Sequence, residues 1–277
     1  MTKTNRPGFG IGLRLLSGFL FAGMFVSVKA IGDDVPLGQI VFFRSFFALL
    51  PLVVFLWLRG EFPKGMATKR PGAHFLRAGF GVLALFASFA AVARLNLAEA
   101  LLIAQISPIL TALAAVFLLS EQLTKWRIWG LVLGFAGVVV LVGPELIASG
   151  PSSARLMGYS IGLAAAVLTA LALVMVRKLN STESPGAIAL YFVLASMAGG
   201  LATLPWGWVW PEGTILWLLV LSGFFGGFAH IAMTLAFRYA EASRLAPFEY
   251  VALLWPLLAD LFIFRVGLSS SLIFAAP

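Results

Sequence analysis

Ala98-Glu99-Ala100 opens an apolar run that carries Gln105, Ser107-Pro108 and Thr111 and ends at Ser120-Glu121-Gln122. A short polar break from Thr124 to Arg127 follows, and a second apolar run closes at Gly143-Pro144. Each run has about the 20 residues needed to cross roughly 30 Å of hydrocarbon. The stretch from Arg94 to Gly143 is therefore expected to form a membrane hairpin. Its layout returns near the C-terminus, where Arg238, Ala240-Glu241-Ala242 and Pro247 open a run holding Trp255-Pro256 and Asp260.

Composition agrees with a membrane solvent. Of 277 residues, 61% are hydrophobic and only 11% charged, against roughly 25% charged in soluble domains. The uncharged blocks lack the period-two alternation of a transmembrane barrel, so an all-helical, polytopic membrane protein is expected. The absence of cysteine excludes disulfides, thiolate nucleophiles and cysteine-held metals, and leaves the compartment open. A net charge of +8 raises nucleic acid as a partner, but basic residues collect in the cytoplasmic loops of membrane proteins, and no nucleic-acid partner is expected. Lys3, Arg6 and Arg14 before an apolar run resemble a signal peptide. Without a small-residue cleavage site, the run is taken as an uncleaved first span.

The expected spans are 12–31, 36–58, 74–93, 97–119, 126–143, 157–176, 186–206, 214–236 and 246–264. With the N-terminus inside, Lys3, Arg6, Arg14, Arg59, Lys64, Lys69, Arg70, Arg77, Lys125, Arg127, Arg177, Lys178, Arg238 and Arg244 fall on the cytoplasmic side. Lys29, Arg94, Arg155 and Arg265 fall outside, and this imbalance places the N-terminus in the cytoplasm. Leu268 to Pro277 would reach only about 15 Å as a helix, so a tenth span is expected to be incomplete here.

Five spans separate the two Ala-Glu-Ala copies. An odd shift puts them on opposite faces, the pattern of an inverted-topology repeat. It predicts two five-helix halves, residues 1–145 and 155–277.

Ala98-Glu99-Ala100, Pro108 and Ser120-Glu121-Gln122-Leu123, followed by a span with Gly130, Gly134 and Gly137, resemble the EamA-type domain of the drug/metabolite transporter superfamily. The likeness covers nearly the whole chain, although Phe264-Arg265-Val266 stands where the family usually has a Gly-Glu pair. It implies ten helices in two inverted halves, a central cavity, export of small metabolites and a bacterial inner membrane. Within the superfamily, the chain is most similar to YddG-type aromatic amino-acid exporters.

An ionisable group inside hydrocarbon costs about 2.5–3.5 kcal/mol on insertion scales, so each needs a reason. Lys29 follows Gly18, Ala22 and Phe25 at helical spacing and serves either the outer headgroups or a substrate. Arg44 lies roughly 12 Å into its span, with structural pairing and substrate-carboxylate binding as its two roles. Glu249, Pro256 and Asp260 share a helical face. Asp260 forms an ion pair with Lys29 or Arg44, or else Asp260 or Glu249 meets a substrate amine. His230 relays protons or packs through hydrogen bonds. Gln105 and Pro108 mark a kink at a cavity wall or simple packing, and Pro256 has the same alternatives.

Trp255, Phe86, Phe89, Phe25, Phe47, Tyr191 and Tyr250 are candidates for an aromatic-accepting wall, against a background of 25 Phe and 8 Trp. Trp206, Trp208 and Trp210 fit an interfacial belt. The pairs Gly130/Gly134 and Gly158/Gly162 suit close helix packing, with dimerisation possible, so the chain is expected as a monomer or homodimer. Gly158-Tyr-Ser160-Ile-Gly162 matches a hydrolase elbow only in letters, because it lies in an apolar helix. Asn180-Ser-Thr182 matches a glycosylation acceptor but falls in a cytoplasmic loop on this topology.

These features favour a secondary transporter that exports small metabolites, amino acids above all, by alternating access. There is no Walker motif, and no cofactor is expected. A lipid-modifying enzyme would need clustered acids or histidines, whereas the chain has only Asp33-Asp34, His74 and His230 as candidates. A channel would need a polar-lined helix or charged rings.

Overall fold

The computed structural model describes residues 6–63, 66–68, 70–95, 100, 103–148 and 153–263. Over these residues the chain is helical and without strands. Eight long helices follow in order: α1 Pro7–Ile31, α2 Leu37–Leu58, α3 Pro71–Val92, α4 Ile106–Leu119, α5 Lys125–Ala148, α6 Ser153–Leu179, α7 Pro185–Leu201 and α8 Gly213–Tyr239. A ninth segment is broken into one turn at Ala242–Leu245, a 3-10 stretch Ala246–Leu253 and a short helix α9, Leu254–Phe262. Seven of the nine expected spans recur as single helices with ends shifted by up to five residues, the ninth is broken, and the expected start of the fourth lies outside the described residues. The expected tenth span lies outside the described residues.

Among the described residues, five helices are long and apolar enough to cross a membrane: 7–31, 37–58, 71–92, 156–179 and 213–239. Large apolar side chains face outward along the bundle, among them Phe75, Leu83, Phe117 and Trp217. In water this would be a liability, and in lipid it is the expected outer surface. Trp206 and Trp210 are exposed in the α7–α8 connection.

The fourth and ninth segments depart from simple spans, and proline accounts for part of each. Pro108 has no N–H, and its ring clashes with the carbonyl four residues back. The chain accordingly turns at Gln105 and restarts at Ile106, so Pro108 is third in α4. There a missing N–H costs nothing, because the first helical donors have no partner within the helix. In the ninth segment Pro247 stands at the start of the eight-residue 3-10 stretch and Pro256 third in α9. Runs of 3-10 helix rarely exceed three or four residues and often mark hinges.

The most extensive packing is of α1 on α8 and of α3 on α6. Advancing the helix numbers by five, cyclically over ten positions, turns one pair into the other. The same shift relates α2 on α8 to α3 on α7. Glycine enables the tightest of these contacts. A Cβ on Gly227 would stand 2.6 Å from Pro51 Cγ and 3.0 Å from the Ala48 carbonyl. Gly223, four residues earlier, faces Phe47 and the Arg44 carbonyl on the same helix α2. The Gly158/Gly162 pair packs within the chain, against Leu95 and Ile103.

Candidate functional site

A cavity of about 240 Å³ opens among α1, α2, α3, α6, α7, α8 and the 3-10 stretch. Its polar lining is Arg14, Arg44, Arg77, His230 and Glu249, with Ser88 and Thr169. Phe21, Phe25, Phe192, Met24 and Met233 supply most of the apolar wall.

Arg44 is 1% exposed. Its Nε donates to Met24 Sδ at 2.9 Å, and its Nη2 lies 3.0 Å from His230 Nε2. A guanidinium has donors only, so Nε2 is the acceptor and the His230 ring carries its proton on Nδ1. Gly226 makes room for this arginine, since a Cβ there would lie 3.2 Å from Arg44 Nε. The His230 ring packs edge-on to Phe21, centroids 5.0 Å apart, and tilted against Phe192 at 4.5 Å.

Arg77 approaches the other side of this group. Its guanidinium carbon sits 4.3 Å from the Phe192 ring centroid, a cation–π contact. Arg77 Nε and Nη1 and Arg44 Nη1 have no hydrogen-bond partner among the described residues. Arg14 reaches across to Glu249, Nη2 to Oε1 2.9 Å, with both side chains 10% exposed.

The first-helix stripe explains that ion pair. Gly10, Arg14 and Gly18 follow at four-residue spacing on one helical face. A Cβ on Gly18 would meet Ala252 at 2.6 Å, and one on Gly10 would meet Ala240 at 2.9 Å. Gly10 brings α1 against the end of α8 and Gly18 brings it against the ninth segment, and Arg14 between them meets Glu249.

Of the residues singled out from sequence, Arg44, His230, Glu249 and Phe25 line this cavity. Gln105, 9% exposed, lines an adjoining cavity of about 180 Å³ that shares Arg14, Phe21, Phe25 and Ser88. Arg44 contacts His230 and Met24. The side chains of Asp260 and Pro256 lie outside the described set. Lys29 is half-buried in the last turn of α1, away from the cavity lining. Trp255 packs edge-on to the exposed Phe19 at 5.2 Å and is not among the lining residues. Tyr191 lies against His74, centroids 4.4 Å apart, and His74 is 3.6 Å from Glu183. Ser160 donates to the Leu156 carbonyl within α6, as a helical serine does, which removes the hydrolase-elbow match.

Arg77 and Arg14 are the residues that sequence reasoning assigned elsewhere, to the cytoplasmic basic set. Arg77 is 3% exposed and faces the cavity.

At one end of the bundle, Ser120 closes α4 in a left-handed conformation, φ 54°. Glu121 follows, and its carboxylate accepts from Ala242 N, Ser243 N and Ser243 Oγ at the start of the ninth segment. Arg177 Nε, 3.4 Å from Oε1, joins it. A wider cavity of about 590 Å³ opens here, lined by Glu121, Arg177, Lys178, Arg238, Glu241 and Arg244 among others.

Residues 8–143 match the EamA-like transporter family. That match covers 136 of the 277 residues, just under half of the chain. The pseudopaline exporter CntI of Pseudomonas aeruginosa is 29% identical over 256 residues, covering 89% of this chain and 84% of its own. The S-adenosylmethionine uptake transporter of Rickettsia felis is 28% identical over 259 residues, covering 92% and 84%. A solved crystal structure aligns with TM-score 0.81 at 22% identity over 96% of this chain and 92% of that one, a likeness of fold. Both relatives are transporters by name, which with the apolar helices supports a multi-pass membrane transporter. The relatives are not aromatic amino-acid exporters by name, and one exports while the other takes up.

Proposed function

We propose that this protein is a secondary transporter that exports a small carboxylate-bearing metabolite, amino acids among the candidates, from the bacterial cytoplasm. One observation carries it: a fully buried arginine with an unpartnered nitrogen faces an aromatic-walled cavity deep in the helix bundle. Buried charges inside a membrane protein mark substrate or ion pathways. A guanidinium pairs with carboxylates through parallel hydrogen bonds.

The mechanism is alternating access between two inverted five-helix halves, 1–145 and 155–277. The exchange of helix partners under a shift of five supports it. Broken segments at Gln105 and Ala246–Leu253 flank the cavity and supply hinges. The excess of basic residues supports an inner-membrane protein with the N-terminus and the Glu121 end in the cytoplasm. Arg177, Lys178 and Arg244 then line the inner mouth and raise the local concentration of anions there, which favours export. The phenylalanine wall accommodates aromatic amino acids, the narrower family likeness.

Flux into and out of proteoliposomes tests this with labelled phenylalanine, threonine, a dicarboxylate and a nucleotide sugar, with and without a pH gradient. Saturable flux of a carboxylate-bearing compound, cut at least tenfold by Arg44→Gln in well-folded protein, is expected. Saturable flux that Arg44→Gln leaves unchanged removes Arg44 from the site.

A further inference from the structure

We infer that the central cavity binds a small organic dianion, a dicarboxylate with an apolar or aromatic body, held between Arg44 and Arg77. This rests on the transporter reading above and narrows its substrate class.

The charges in the cavity carry the argument. Three arginines line it, and Glu249 is the one carboxylate among its described lining residues. Glu249 is taken by Arg14 at 2.9 Å. Arg44 and Arg77, 1% and 3% exposed, have no ion pair among the described residues, and both keep unpartnered guanidinium nitrogens. Buried charges are normally paired, and buried donors normally bonded. His230 does not neutralise Arg44, because it accepts as a neutral ring. The cavity therefore holds two positive charges that a ligand with two negative charges would complement.

The arrangement also separates them. The contacts run from Arg77 to the Phe192 ring, from Phe192 to His230, and from His230 to Arg44. Two cations with two rings between them suit two anionic groups carried by one small body. Phe21, Phe25 and Phe192 then face the body of that ligand. A zwitterionic amino acid fits less well. Its ammonium needs a carboxylate, and Glu249 is engaged with Arg14. A neutral amino acid brings no net negative charge to offset the two arginines, and its ammonium finds no free carboxylate among the described lining residues.

Transport of such an anion carries net charge. Without a coupled cation, a membrane potential drives a dianion toward the positive side, and the steady-state ratio shifts tenfold for about every 30 mV. No titrating relay is required.

The test uses the full-length protein in proteoliposomes clamped with potassium and valinomycin. Labelled succinate and phthalate are compared with benzoate, phenylalanine and glycerol 3-phosphate, and thermal shifts with the same compounds are measured in detergent. Dicarboxylate flux is expected to exceed phenylalanine flux at least tenfold and to accelerate when the far side is positive. Arg77→Gln should raise the KM for phthalate at least tenfold more than for benzoate, and Arg77→Lys should restore part of the difference. Faster flux of phenylalanine, or equal loss for all substrates in Arg77→Gln, overturns the dianion assignment and leaves the transporter reading standing. Flux of glycerol 3-phosphate with none of the dicarboxylates overturns the two-point geometry. A dicarboxylate-specific thermal shift with no flux of any compound keeps the dianion site and removes the transporter reading. Neither shift nor flux from monodisperse protein removes both.

Discussion

Glu121 Oε2 accepts two hydrogen bonds from Ser243, one from the backbone N–H at 3.0 Å and one from the hydroxyl at 2.8 Å. One carboxylate at the end of α4 thus satisfies donors at the start of the ninth segment. Helix-start N–H groups lack partners within the helix, and a carboxylate there also meets the favourable end of the backbone dipole. Arg177 ties the same carboxylate to α6 and, through its Nη1, to the Phe237 carbonyl at the end of α8. These contacts hold both halves of the chain together at one end of the cavity.

Removing the carboxylate should loosen that end. Hydrogen bonds to charged groups are worth about 1.5–3 kcal/mol each, so Glu121→Ala should lower the melting temperature in detergent by several degrees. The chain contains no cysteine, so a single Ala172→Cys reports access to the cavity by maleimide labelling. Glu121→Ala should raise that labelling rate several-fold, and an unchanged rate would mean that Glu121 does not hold the end closed.

The Arg14–Glu249 pair joins α1 to the 3-10 stretch. Breaking a buried ion pair from one side leaves a buried charge and costs about 3–5 kcal/mol, whereas replacing both members with apolar residues is often neutral. Glu249→Leu alone should therefore destabilise strongly. Arg14→Met with Glu249→Leu should recover most of the loss in a double-mutant thermal cycle. Additive losses in that cycle would refute the coupling.

Much of the architecture is legible from residues alone, because apolar runs of span length between short polar breaks leave few alternatives. Arg44 and His230 stand out for the same reason, as polar groups deep within such runs. Arg77 and Arg14 do not. Each lies about two turns inside its helix, close to the error with which a span boundary is read, so counting basic residues by loop assigns both to the membrane surface. The Gly10, Arg14, Gly18 spacing holds the missing signal, since small residues flanking a charge at helical period mark a face packed against another helix. The Arg77–Phe192 contact joins residues over a hundred positions apart, and no local pattern announces it. Trp255 packs edge-on to Phe19, and no local pattern tells such an aromatic from one that lines a cavity.

Close packing of α2 on α8 should make Gly227 intolerant. A methyl group there meets Pro51 at 2.6 Å and backbone at 3.0 Å, and backbone cannot move aside cheaply. Gly79 has open space at the corresponding point. Gly227→Ala is expected to destabilise by about 1–3 kcal/mol through overpacking. Gly79→Ala should be neutral or stabilising by up to about 1 kcal/mol, as alanine suits a helix better. Comparing expression yield and melting temperature of the two variants decides this, and equal behaviour would contradict the close approach.

His230 offers the last test, between a proton relay and a fixed acceptor. Its Nε2 accepts from Arg44, and its ring packs against Phe21 and Phe192. An acceptor role survives replacement by glutamine, whose side-chain oxygen also accepts and which does not titrate. A relay does not. His230→Gln should therefore keep a measurable flux whose pH profile matches that of the parent protein. His230→Leu should lose about 1–3 kcal/mol of stability, because it leaves an Arg44 donor buried without a partner. If His230→Gln instead abolishes the response of flux to a pH gradient while protein folding and substrate binding persist, His230 carries protons, and the packed, neutral ring described above is only one state of a cycle that protonates it.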